Sequence, residues 1–154
     1  MQSILSLANN LQKDYPQLLF VAENEFRWAP DERTVFYDKS SSDMAALLHE
    51  LAHGLLHHTT FRRDVELLEL ERAAWRHAAD HLAPKYTVDI TDDQVEDSLD
   101  SYRDWLHARS SCPNCKATGF QIKPSLYKCI ACFETWKVND ARACALRRYK
   151  VTPK

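Results

Sequence analysis

His49-Glu50-Leu51-Ala52-His53-Gly54-Leu55-Leu56-His57-His58 is the stretch from which the rest of this chain can be read. It holds an H-E-x-x-H pattern within a run of helical hydrophobic spacing. At about 3.6 residues per turn, His49 and His53 lie one turn apart on one face, so both imidazoles can reach a single Zn²⁺. Glu50 stands beside them, where a carboxylate can take a proton from a zinc-bound water. Upstream, Ser40-Ser41-Ser42-Asp43 supplies N-cap oxygens. The spacing of Met44, Ala45, Ala46, Leu47, Leu48, Leu51, Ala52, Leu55 and Leu56 then predicts a buried helix over 42–58. Ionisable side chains on a buried helix need partners that offset their desolvation.

A catalytic zinc held by two histidines needs a further protein ligand and a position left for water. The following helix, predicted over 64–82 with Pro84 as its stop, contains one candidate. With Glu71 placed at zero on the helical wheel, Leu67, Trp75, Ala78 and Leu82 fall within about 40° and Leu68 and Ala74 within about 60°. Glu71 is thus the centre of an apolar stripe, whereas Glu66, Glu69 and Asp80 project the other way. A carboxylate on a core face is costly without a strong partner, and no Arg or Lys lies on this stripe. Glu71 is therefore the third candidate ligand.

HELAHGLLHH followed by ERAAWRHAADHLAP resembles the ImmA/IrrE group of small gluzincin-like metallopeptidases, over roughly residues 34–84. In that group the helix after H-E-x-x-H carries a Glu and an Ala-rich segment ending near a Pro. The resemblance implies that His49, His53 and Glu71 ligate zinc and that Glu50 is the general base. Trp75 and His77 depart from the Asn and Phe expected at those places, so a substrate does not transfer. Two other zinc patterns fit less well. A metzincin wants a Gly three residues after the second His and a His three beyond it, but Gly54 follows His53 directly and position 59 is Thr. SprT-like proteases acting on DNA-bound proteins also join H-E-x-x-H to a C-terminal zinc module, but draw a third His from a Gly-His segment absent here.

Residue type alone offers Tyr37, Tyr86, His57 and His58 as donors to a transition-state oxyanion. The β-branched and aromatic clusters Leu18–Ala22, Glu25–Trp28 and Thr34–Tyr37 read as short strands. The last two form a hairpin around Ala29-Pro30-Asp31-Glu32, and Thr34–Tyr37 is expected to offer an edge for an extended peptide. Helices are predicted over 2–13, ending at Pro16, and over 92–107. The order of helix, strands and helices indicates an α+β fold: a zincin-like domain with a short β-sheet and an active-site helix.

Cys112-Pro-Asn-Cys115 and Cys129-Ile-Ala-Cys132 are two C-x-x-C pairs separated by 13 residues. Four thiolates at this spacing form a closed tetrahedral structural zinc site, here resembling a zinc ribbon with strands at 119–123, 126–128 and 135–138. Cys144 has no such partner and reads as a small buried residue. Zn²⁺ is therefore expected twice per chain, once catalytic and once structural.

The 154 residues divide sharply in charge. Residues 1–108 carry 10 Lys/Arg against 20 Asp/Glu, and residues 109–154 carry 10 against 2. The expected domains are a metallopeptidase domain over 1–108 and a basic ribbon over 109–154. In the ribbon, Lys116, Lys123, Lys128, Arg147 and Arg148 are interleaved with aromatics, a pattern suited to DNA or RNA phosphates and stacked bases. No apolar run reaches the length of about 18 residues needed to cross a membrane, and the first residues lack the pattern of a signal peptide, so a cytoplasmic location is expected. The resulting expectation is a zinc endopeptidase acting on a protein or peptide. Its ribbon would direct it to a nucleic-acid-associated or regulatory protein. The alternatives are a SprT-like protease and a non-catalytic zinc adaptor. Oligomeric state is not legible in the sequence.

Overall fold

The structure, a computed structural model, describes residues 2–139 and, at backbone level, the strand at 148–150. Cys144 and Arg147 lie outside the described residues, as does the side chain of Arg148. The fold is α+β and divides into two compact units, Met1–Thr60 with Leu70–Glu96, and Phe61–Glu69 with Asp97–Lys154.

The first unit opens with α1 (Ile4–Asp14), whose Ser3 cap accepts a hydrogen bond from the Ser6 amide at 3.1 Å. Its Ile4, Leu7, Ala8 and Leu11 are buried, as the apolar spacing requires. Strands β1 (Leu19–Glu23), β2 (Arg27–Ala29) and β3 (Thr34–Asp38) form a sheet in the order β1-β3-β2. β2 and β3 are the antiparallel hairpin read from the sequence, while β1 runs parallel to β3 from Leu19↔Thr34 to Glu23↔Asp38. β3 is not the peptide-binding edge expected from the sequence: it is paired on both sides, to β1 and β2, and Thr34 to Tyr37 are all buried. The sheet edges are β1, with Leu19 56% and Val21 41% exposed, and β2.

Helix α2 (Met44–Leu55) begins at Asp43, whose carboxylate accepts the Ala46 amide at 2.9 Å. It stops before the predicted 58 because the chain closes it with a Schellman turn. His57 adopts a left-handed φ of 56°, its N–H bonds to the Gly54 carbonyl at 3.2 Å, and the His58 N–H reaches back to the His53 carbonyl at 3.0 Å. Helix α3 (Asp64–His77) passes into a π-helical turn (Ala78–Leu82) and then α4 (Ala83–Tyr86). Pro84 therefore does not end the helical path as expected. It follows directly on the π-helical turn, whose widened bonding admits a residue without an N–H, and the chain leaves at Thr87 with φ 57°. Leu47, Leu48, Leu51 and Ala52 of α2, with Leu7, Leu11, Val35, Ala74 and Ala78, form the centre of this unit's core.

Helix α5 (Asp92–Ser110) runs three residues beyond the predicted 107, and the Ser110 hydroxyl bonds the Leu106 carbonyl at 2.8 Å in its last turn. In the second unit, strands β4 (Gly119–Lys123), β5 (Leu126–Cys129), β6 (Thr135–Val138) and β7 (Arg148–Lys150) form an antiparallel sheet in sequence order. Tyr127, Trp136 and Val138 pack with Cys112 and Cys129 as its core. Gly119 permits this packing: a Cβ there would lie 2.4 Å from the Trp136 ring and 2.6 Å from the Lys128 carbonyl.

A buried polar network explains why residues 61–69 and 97–110 belong to this unit, so that its limits differ from a division at 108/109. The Asp64 carboxylate accepts Arg109 Nε at 2.7 Å and the Tyr127 hydroxyl at 2.5 Å. Arg109 also donates to the Asn139 carbonyl, and its own carbonyl accepts the Trp136 indole N–H at 2.9 Å. Burial, reinforced by the Asp64 contact, pushes the Tyr127 hydroxyl well above its ordinary pKa. Among the described residues, no helix is long and apolar enough to cross a membrane.

Candidate metal centres

Helical phase delivers the first site. Two turns of α2 present His49 and His53, α3 presents Glu71, and all three are buried at 6%, 8% and 6% exposure. His49 Nε2 lies 2.9 Å from Glu71 Oε2, His53 Nε2 lies 3.2 Å from Glu71 Oε1, and the two Nε2 atoms are 3.1 Å apart. Two imidazole nitrogens and a carboxylate converging in a buried place have more lone pairs than protons to share. Glu71 Oε2 accordingly lacks a well-directed hydrogen bond despite its proximity to His49. For Zn²⁺ bound at about 2.0–2.1 Å, tetrahedral geometry spaces ligand atoms by about 3.3 Å. The donor set and its spacing fit a divalent metal, as the sequence spacing predicts. Among the described residues, the ion pairs of Glu71 are with His49 and His53, and no Arg or Lys pairs with it. Burial pushes the Glu71 carboxyl up, but the adjacent imidazoles of His49 and His53 outweigh it and hold its pKa at about 2.

Glu50 projects from the same helix, its carboxylate 3.9 Å from His49 Nε2. Burial pushes its pKa up, opposed by His49 and His53 and, least, by the backbone amide of Trp28. Trp28 has two further contacts. Its indole N–H donates to the His58 carbonyl at 2.9 Å, and its ring covers Gly54, where a Cβ would meet ring carbons at 3.0, 3.2 and 3.3 Å. Gly54 is therefore in α2 because β2 lays an indole against that turn. Trp75, which departs from the ImmA/IrrE pattern, stacks on His49 with centroids 4.2 Å apart and planes at 18°. It fixes an imidazole whose Nδ1 is buried without a hydrogen-bond partner.

The other candidate donors are placed differently. His57 is exposed in the turn after α2, whereas His58 folds back so that its Nδ1 lies 2.8 Å from Nδ1 of His53. Tyr86 donates its hydroxyl to Asp14 at 2.6 Å, with Lys85 Nζ 3.5 Å from the same carboxylate. Tyr37 is packed in the core of the first unit. A cavity of about 400 Å³ is lined by Trp28, Pro30, Arg33, Gly54, His57 and His58, among others. Trp28 and the stacking of Trp75 escape sequence reasoning because they act through packing, and His58, expected from the sequence as an oxyanion donor, instead lies against His53. The only sequence signal for His58 is the second His of the pair that closes α2.

In the second unit, Cys112, Cys115, Cys129 and Cys132 bring their Sγ atoms within 4.8 Å of one another. The Cys112–Cys132 and Cys115–Cys129 sulfurs are 3.6 and 3.5 Å apart, near the spacing of about 3.8 Å for thiolates around zinc at about 2.3 Å. Knuckle amides point at sulfur: Ala131 and Cys132 N–H groups reach Cys129 Sγ at 3.3 and 3.5 Å, and Asn114 and Cys115 N–H groups reach Cys112 Sγ at 3.4 and 3.5 Å. The Glu134 amide and Asn114 side chain similarly lower the Cys132 thiol to about 6, favouring the thiolate that binds metal. Both clusters are compatible with zinc. Among the ribbon's candidate contacts, Lys116 and Lys123 are exposed and Lys128 half-buried. No protein-family model matches this chain, and neither a characterised protein nor a solved structure shows significant similarity to it.

Proposed function

We propose that this chain is a zinc-dependent endopeptidase of the ImmA/IrrE type, with His49, His53 and Glu71 holding the catalytic metal and Glu50 acting as general base. The observation that carries this reading is a buried His-His-Glu cluster with a second, raised-pKa carboxylate beside it. Zn²⁺ held there would polarise a peptide carbonyl and lower the pKa of water toward neutrality. Glu50 is the residue that would take up a proton from the attacking water and return it to the leaving amine. Its burial raises its pKa, which suits it to exchange that proton. A neutral donor set apart from one carboxylate leaves the metal positively charged, and the closed shape of the four-cysteine cluster suits structure rather than chemistry.

The ribbon's proposed role is to bring the enzyme to a nucleic-acid-associated or regulatory protein. What supports it is the division of its aromatics: Tyr127 and Trp136 are core, whereas Phe120 and Phe133 are 47% and 70% exposed, with Lys128 Nζ 5.8 Å from the Phe133 ring. The test of the enzyme reading uses an unfolded, fluorescently labelled polypeptide. Zinc-loaded protein should cleave it, and Glu50→Gln should keep its metal and lose cleavage. No cleavage by the zinc-loaded protein, or equal cleavage by Glu50→Gln, would overturn the reading.

A further inference from the structure

We infer that His58 is a positioning residue that selects the metal-binding tautomer of His53; the inference rests on the metallopeptidase reading and adds a residue to it. The geometry leaves little choice. His53 Nε2 faces Glu71 and His49, at 3.2 and 3.1 Å, so this is the nitrogen that must be bare to bind metal. Its other nitrogen, Nδ1, lies 2.8 Å from Nδ1 of His58, a distance that requires one proton between the two. If the proton belongs to His53, the bond runs from His53 Nδ1–H to His58, and His53 Nε2 is free to ligate. If it belongs to His58, a neutral His53 carries its proton on Nε2 and cannot ligate. Metal binding and the tautomer of His58 are thus one equilibrium.

The fold holds His58 in this place without help from its side chain. The Schellman turn bonds its amide to the His53 carbonyl at 3.0 Å, and Trp28 donates to its carbonyl at 2.9 Å. Metal-bound histidines ordinarily donate their second N–H to a carboxylate, carbonyl or water. Here the acceptor is a neutral imidazole, a weaker electron donor than a carboxylate, so His53 withdraws less of the metal's positive charge. The same proton arrangement leaves His58 with an Nε2–H donor, and His58 lines the cavity beside Gly54 and Trp28.

The experiment compares the full-length chain with His58→Ala and His58→Asn, whose Oδ1 can replace Nδ1 as acceptor. Zinc affinity of the first site is measured by competition with a chromophoric chelator, and the circular dichroism and thermal melt of each variant serve as the check on folding of the unit that holds the site. His58→Ala should weaken the first site about 10–100-fold, and His58→Asn should restore most of it. Nitrogen NMR of the zinc-loaded protein should show His53 protonated at Nδ1 and His58 at Nε2. A His58 protonated at Nδ1, or an affinity unchanged in His58→Ala, would overturn the inference. If the unsubstituted chain binds no metal at His49, the metallopeptidase reading itself fails, a result separate from either of these.

Discussion

Replacing Gly54 by Ala sets two effects of known sign against each other. In a helix interior the change is favourable by about 1 kcal/mol through propensity alone. Against it, the new methyl would sit 3.0 Å from Trp28 Cζ3 and 3.2 and 3.3 Å from two more ring carbons, inside ordinary van der Waals contact. Overpacking of this kind costs about 1–3 kcal/mol. The indole cannot easily retreat, because its N–H is bonded to the His58 carbonyl at 2.9 Å. The cost should therefore lie in the upper half of that range, for a net destabilisation of about 1–2 kcal/mol. In a unit of this size that lowers Tm by roughly 4–16 °C, measurable by calorimetry on the metal-saturated protein. Trp28→Leu removes the obstructing ring. In that background Gly54→Ala should cost little or become favourable, giving a coupling of at least about 0.5 kcal/mol by the usual range for touching residues. A Gly54→Ala protein stabilised by the propensity term, or strict additivity with Trp28→Leu, would refute the packing argument.

Asp64→Ala should cost the second unit about 3–5 kcal/mol in urea denaturation with zinc present, because it strands the guanidinium of Arg109, only 2% exposed. A loss under about 1 kcal/mol would mean that water or another carboxylate satisfies Arg109. Glu71 gives a pH signature in the metal-free chain. Its folded pKa is depressed from 4.5 to about 2, so its contribution is complete above pH 4.5 and disappears as pH falls through about 2. That interval corresponds to about 3 kcal/mol, and the loss should be missing from the acid denaturation profile of Glu71→Gln. Identical acid profiles for the two proteins would count against it.

The parts of the fold legible in the sequence are those governed by periodicity and fixed spacing. Glu71 could be found because a carboxylate at the centre of an apolar stripe is anomalous on the helical wheel alone, and the C-x-x-C pairs because their geometry is local. The β2–β3 hairpin is readable for the same reason. What is not readable depends on contacts distant in sequence. The sequence cannot show that β3 lies between two strands, since the parallel partner β1 is set by packing under α1 rather than by any turn. Nor can it show that His58 folds back onto His53, because a left-handed His57 closes α2 where a glycine would ordinarily be expected. Helix continuation past Pro84 depends on a π-helical turn, which no propensity announces. Sorting Tyr127 and Trp136 from Phe120 and Phe133 likewise requires the register of the second sheet.

Metal content per chain tests the central claim most directly. Protein purified without chelator and reconstituted with zinc should contain two Zn²⁺ per chain by elemental analysis, and His49→Ala should contain one, retained by the four cysteines. One Zn²⁺ in the unsubstituted chain, or two in His49→Ala, would contradict the assignment of His49, His53 and Glu71 as a metal centre.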